Sequence, residues 1–125
     1  MQARTTVVAV VDDDPSMLRA ADDLLGAHGF TTLKFSSADE FLEGGAAEKA
    51  DCLLLDIHLD GMSGLELRQK LKASHPKLPV IFMTALADEA IRQQAIQAGC
   101  ATFLQKPFPA HQLIQAINSV VPGHN

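Results

Sequence analysis

The sequence predicts an α/β protein with a doubly wound parallel sheet, of (βα)5 form, covered by helices on both faces. Three observations carry this. Five short apolar runs recur at intervals of about 20 to 30 residues. A helical pattern follows each of them. The central runs are apolar on every residue, as strands buried on both faces must be.

Each element can be justified in order. Val7 to Val11, Val-Val-Ala-Val-Val, is too short and too β-branched for a helix. Met17, Leu18, Ala21, Leu24 and Leu25 then follow a 3.6-residue spacing, and His28-Gly29 closes that helix. Thr31 to Phe35 alternates weakly, as an edge strand should. Ser37-Ala38-Asp39-Glu40 fits a capping box, opening a short helix that stops at Gly44-Gly45. Cys52 to Leu55 is the third strand. Leu67 and Leu71 mark the third helix, which Pro76 cannot continue. Val80 to Met83 is the fourth strand. Asp88 opens the fourth helix, with Ile91, Ala95 and Ala98 on one face and Gly99 as its stop. Ala101 to Leu104 is the fifth strand. Leu113, Ile114, Ile117, Val120 and Val121 form the apolar face of the fifth helix, which ends at Pro122-Gly123. Right-handed crossovers leave few doubly wound strand orders. The flavodoxin-like order 2-1-3-4-5 is one of them; alternation alone does not select it.

Composition narrows the function. The chain has 125 residues, enough for one domain, and a net charge of −5. That is the wrong sign for nucleic-acid binding by counterion release. No apolar run approaches a membrane span, and the N-terminal residues carry no signal-peptide cleavage pattern. The chain is therefore expected in the cytoplasm. Cys52 and Cys100 read as reduced, packed thiols, since there is no C-x-x-C pair. The histidines lack metal-ligand spacing, and His28, His75, His111 and His124 are expected to face solvent.

Ligands of an open α/β sheet bind at the carboxyl ends of the strands. Asp12, Asp13 and Asp14 follow the first strand, and Asp56 follows the third. Thr84 follows the fourth and Lys106 the fifth. In the order 2-1-3-4-5, the first and third strands are neighbours, so these carboxylates would share one crevice. Carboxylates so close repel unless a cation neutralises them. Oxygen-only ligands favour a hard cation, Mg²⁺ above all. An aspartate beside such an ion can accept a phosphoryl group. Asp14 before Pro15 also reads as a helix N-cap.

Four motifs, in order, give a resemblance to the response-regulator receiver domains of bacterial two-component signalling. They are Val10-Val11-Asp12-Asp13-Asp14-Pro15, Leu53-Leu54-Leu55-Asp56-Ile57, Met83-Thr84-Ala85 and Lys106-Pro107-Phe108. Gly61-Met62-Ser63-Gly64 strengthens the match. The resemblance runs from about Val7 to Val121, and residues 1–125 are read as a single receiver domain. It implies the 2-1-3-4-5 sheet. It makes Asp56 the phosphoacceptor for a histidine kinase or phosphotransfer protein. Asp12, Asp13, Asp56 and the backbone carbonyl of His58 would bind Mg²⁺. Lys106 would pair with a phosphoryl oxygen, and Lys106-Pro107 resembles the family's cis-proline junction. Thr84 and Phe103 would be the switch pair, with His58 and Leu86 at the rim. The domain would signal through a surface of the fourth helix, fifth strand and fifth helix, including Asp88, Arg92, Gln93, Gln97 and Gln112. Few charges there leave room for a homodimer through an apolar or small interface. The chemistry would be self-catalysed phosphoryl transfer and loss, not turnover of a separate substrate.

One residue departs from the pattern. The family usually has proline four residues after the phosphoacceptor, where this chain has Asp60. Asp60-Gly61 is a good turn pair, but weaker control of the loop is expected. The competing reading is a Mg²⁺-dependent aspartyl-phosphate phosphatase of the haloacid-dehalogenase type. That chemistry wants a second aspartate two residues after the nucleophile and a cap. The candidates are Asp12 and Asp14, and the length leaves no room for the cap. A flavin-binding module is disfavoured by the aspartates in the first loop and by the absence of Trp and Tyr.

Overall fold

A computed structural model describes residues 5–86 and 88–121. Pro122, Gly123 and His124 lie outside the described residues. Five strands, β1 (Val7–Val11), β2 (Thr31–Phe35), β3 (Cys52–Asp56), β4 (Val80–Thr84) and β5 (Thr102–Gln105), form one parallel sheet. Their order is 2-1-3-4-5. The helices are α1 (Pro15–Ala27), α2 (Ala38–Glu43), α3 (Gly64–Ser74), α4 (Glu89–Gln97) and α5 (Ala110–Val120). Every expected element is present within a residue or two of its expected bounds. No helix among the described residues is long and apolar enough to cross a membrane.

Because strand side chains alternate, each central strand feeds two separate cores. Ala9, Val11, Leu53, Leu55, Val80 and Phe82 point to one face, where Phe41, Leu67, Leu71 and Ala95 of α2, α3 and α4 cover them. Val8, Val10, Cys52, Leu54, Ile81 and Met83 point to the other, under Ala21 and Leu25 of α1 and Leu113 and Ile117 of α5. Each fully buried Leu, Ile or Phe side chain here contributes about 1.5–3 kcal/mol. The winding direction reverses between β1 and β3, and their carboxyl ends lie side by side.

Local chemistry differs from the sequence reading in four places. Ser37 caps α2 through the Glu40 amide, at 3.0 Å, but the Glu40 carboxylate takes the amide of Ser36, at 2.9 Å, so the box closes one residue early. A complete capping box stands instead at Ser63 and Glu66, opening α3. A short 3-10 helix, Ala46–Glu48, follows α2. His75 is half-buried rather than solvent-facing, its backbone amide closing α3 on Leu71.

Gly64, the first residue of α3, is required by close approach. A Cβ there would stand 2.2 Å from the Asp56 carbonyl oxygen and 2.9 Å from Ile57 Cα. Both are backbone atoms, which cannot give way cheaply. Gly26, in α1, has nothing within 4 Å of its Cβ position. The two glycines should therefore respond oppositely to alanine. Gly64→Ala should cost about 2–3 kcal/mol through overpacking. Gly26→Ala should gain about 0.5–1 kcal/mol from helix propensity. Urea unfolding of both variants checks the pair, and an equal response would refute the close-approach argument.

Candidate functional site

Four strand ends converge on one acidic crevice. Asp12 follows β1 and is wholly buried. Its Oδ1 accepts the Asp14 amide at 2.9 Å, and its Oδ2 accepts Lys106 Nζ at 2.6 Å. Asp56 ends β3 and is 6% exposed. Its Oδ1 accepts the His58 amide at 3.0 Å, and its Oδ2 faces Lys106 Nζ at 3.3 Å. Asp13 is exposed, and its Oδ2 accepts the Asp60 amide at 3.3 Å. Carboxylate oxygens of Asp12, Asp13 and Asp56 all lie within 4.8 Å of one another. Asp14 does not join them; it caps α1, accepting the Ser16 amide at 2.9 Å ahead of Pro15.

Electrostatics follow from this crowding. Burial pushes the Asp56 carboxyl above its ordinary value. The His58 amide opposes that shift, the Asp12 charge reinforces it, and Lys106 opposes it. Burial alone would lower Lys106, but its contact with Asp12 and the charges of Asp12 and Asp56 hold it above its ordinary value. One ammonium thus serves two buried carboxylates, with a third beside them. All the donors are oxygens, so the cluster suits a hard divalent cation.

Thr84 ends β4 and is wholly buried. Its hydroxyl accepts the Leu86 amide at 3.0 Å and lies 3.4 Å from the Leu86 carbonyl oxygen. Among the described residues it makes no hydrogen bond with Asp56. The backbone amide of Lys106 bonds the Thr84 carbonyl at 2.8 Å, and the Lys106-Pro107 peptide is cis. His58 is exposed and Leu86 is 64% exposed. Phe103 is only partly buried and borders a groove with Asp88, Glu89 and Arg92. An apolar groove containing Met17, Leu24, Phe108 and Leu113 opens beside Lys106.

Two contributors escaped the sequence reading. The amide of Asp60 ties the loop after β3 to the loop after β1, a contact that proline could not make. Gly61 completes that turn in the left-handed region, at φ +75°. Gly64 lets α3 start directly against the backbone of Asp56. The Ser63-x-x-Glu66 spacing was visible and would have placed that helix start.

The sequence model of the response regulator receiver domain matches residues 8–118. The chain belongs to that family. The receiver is 34% identical over 121 residues to the response regulator protein TodT of Pseudomonas putida, covering 97% of this chain and 53% of TodT. It is 40% identical over 109 residues to the C4-dicarboxylate transport transcriptional regulatory protein DctD of Rhizobium meliloti, covering 87% of this chain and 24% of DctD. The chain thus spans about half the length of TodT and about a quarter of DctD. The structure of response regulator StyR superposes with a TM-score of 0.86 at 37% identity, covering 97% of this receiver and 61% of that chain. A CheY-like receiver domain protein of Methanospirillum hungatei superposes with a TM-score of 0.86 at 25% identity, covering 94% of each chain.

The raised Asp56 carboxyl has a consequence for stability. The folded protein holds that proton more tightly than the unfolded chain, whose ordinary value is 3.8. Its contribution is therefore fully present below that value and is lost as pH rises through the folded pKa. Asp56→Asn removes the ionisation, while Lys106 keeps Asp12. In metal-free buffer at pH 7, Asp56→Asn should raise the urea midpoint above that of wild type. The difference should shrink toward pH 4 (about the ordinary carboxyl range). A variant less stable than wild type at pH 7 would contradict this account.

Proposed function

We propose that the chain is a single receiver domain that accepts a phosphoryl group on Asp56 from the phosphohistidine of a sensor kinase or phosphotransfer protein. One observation carries the reading. Asp56 sits at the end of β3 between a buried aspartate and a half-buried lysine, with its carboxylate already held by the His58 amide. An Asp56 carboxylate oxygen attacks phosphorus, the phosphorus–nitrogen bond breaks, and the imidazole leaves with the electron pair. Lys106 pairs with a phosphoryl oxygen. Thr84 leaves Leu86 and donates its hydroxyl to another. Positioning and charge neutralisation dominate such transfers.

Asp12, Asp13 and Asp56 would hold Mg²⁺, with the His58 carbonyl as a further ligand. When bound, the ion neutralises charge on the phosphoryl oxygens. The three carboxylates fit it because they are oxygen donors with one ammonium among them. The phosphatase reading loses support from the same geometry. Asp14 is committed to capping α1 and Asp12 to Lys106, so neither stands free as an acid.

The output would pass through α4, β5 and α5. Movement of Thr84 alters the loop leading into α4, whose N-cap is Asp88. Ile96 is 54% exposed on α4, and with Phe103 it borders a groove suited to a small apolar interface with a partner or a second copy. Relatives such as DctD are named as transcriptional regulators, and a linked output domain of that kind is the partner we favour. His58 and Leu86 would control the approach of water to the acyl phosphate. Such chemistry belongs in the cytoplasm.

Intact mass after incubation with acetyl phosphate and Mg²⁺ tests the central claim. One added phosphoryl group is expected, absent with EDTA and absent in Asp56→Asn. Phosphorylation that persists in Asp56→Asn would refute the acceptor. A second prediction concerns Asp60. Asp60→Asn keeps the amide that holds Asp13, whereas Asp60→Pro removes it. By calorimetry, Mg²⁺ should bind the proline variant about tenfold more weakly than the asparagine variant, as partners of metal ligands usually require. Equal affinities would show that the Asp60 amide has no part in the site.

A further inference from the structure

We propose that Arg68 is a positioning residue that fastens the C-terminal end of α4 to α3 and thereby sets how readily α4 responds at the receiver's output face. The inference rests on the receiver reading only for the identity of that response. Arg68 lies on α3 and is 7% exposed. No carboxylate among the described residues pairs with it. Its Nε donates to the Ala98 carbonyl at 3.2 Å, and its Nη2 donates to the Gly99 carbonyl at 3.3 Å. Its Nη1 is buried without a hydrogen-bond partner among the described residues.

Ala98 is the C-cap of α4, and Gly99 follows in the left-handed region at φ +79°. The last turn of α4 has no basic residue of its own. The positive group that complements its carbonyl end therefore comes from another helix, 30 residues earlier in sequence. This matters because α4 is weakly anchored otherwise. Ala95 is its sole fully buried residue, and Ile91 and Ala98 are only partly covered. A fork of two charge-assisted hydrogen bonds then carries much of the docking.

The other end of Arg68 is firm. Gly64, one helical turn earlier, lies against the Asp56 backbone, and its amide bonds the Ile57 carbonyl at 3.0 Å. The Ser63–Glu66 capping box fixes the same turn. Arg68 is thus held on the Asp56 side and reaches across to the C-terminal end of α4. The unpartnered Nη1 leaves a buried donor that a shifted carbonyl of α4 would satisfy. Arg68 thereby sets how firmly that end of α4 is held.

Cys100 provides the readout. It directly follows Gly99 and is partly exposed, whereas Cys52 is wholly buried and its thiol is pushed up to about 12. The experiment is thiol alkylation, resolved by peptide mass, with amide exchange over α4. It uses the full chain as wild type, Arg68→Met and Arg68→Lys, each with and without Mg²⁺ and beryllofluoride. In Arg68→Met, Cys100 should react at least about tenfold faster without beryllofluoride, a floor set by the loss of even one hydrogen bond from a charged group. Burial raises the Cys100 thiol and the Arg68 charge opposes that rise, so loss of the charge by itself would slow the reaction rather than speed it. Arg68→Lys keeps the charge but loses the fork and should also be faster than wild type. Beryllofluoride should change α4 exchange in wild type and change it less in both variants. Unchanged Cys100 reactivity in both variants would overturn the proposal. So would equal acceleration of Cys52 and Cys100, which would make Arg68 a general stabiliser. Failure of the receiver reading shows separately, as a wild type that responds to neither beryllofluoride nor acetyl phosphate.

Discussion

The fold's working end is organised by one electrostatic constraint: a single ammonium must serve two buried carboxylates. Asp12 and Asp56 sit at the ends of adjacent strands because the sheet reverses its winding between β1 and β3. Burying either carboxylate there without a cationic partner would carry a large cost. Lys106 reaches them from the far edge strand, crossing the ends of β3 and β4. The junction after β5 is thereby tied to the loop after β1. Packing of the two apolar cores builds the sheet, but this contact decides how its carboxyl edge is closed.

The strand ends share a second device. At four of these positions a side-chain oxygen accepts the backbone amide two residues later. The pairs are Asp12 with Asp14, Asp14 with Ser16, Asp56 with His58, and Thr84 with Leu86. Each loop therefore orients its own side chain, as Asx and Ser/Thr turns do. A carboxylate oxygen is the stronger acceptor for such a bond. Thr84 makes its bond as a neutral hydroxyl, the weakest of the set. That difference makes it the member most easily drawn to a new partner. The switch role that the resemblance assigns to Thr84 thus has a local physical basis.

Much of this was legible in the sequence, for a definite reason. Strand runs such as Leu53-Leu54-Leu55 and stops such as Gly29, Pro76 and Gly99 act locally, so they can be read locally. Strand order cannot, because alternation is the same for every winding; only the motif resemblance selected 2-1-3-4-5. The clustered site residues were found because each follows directly after a strand. What stayed hidden depends on long-range approach. The Asp60 amide meets Asp13 across 47 residues, and the Arg68 guanidinium meets Ala98 across 30. Nothing in the residues around Arg68 marks it as buried. Its burial follows from where α4 ends, which no local pattern reports.

The same constraint explains why the proposed reaction needs a divalent ion and not only an aspartate. Lys106 stands closer to Asp12, at 2.6 Å, than to Asp56, at 3.3 Å. A phosphoryl group on Asp56 adds negative charge and draws the ammonium toward itself. Asp12 would then lose its partner while remaining wholly buried. Removing one partner from a buried ion pair costs about 3–5 kcal/mol. A second cation held by Asp12 and Asp13 would relieve that cost. On the proposed reading the buried Asp12 would work as a charge store: it would keep Lys106 in place before transfer and release it only when another positive charge stands beside it.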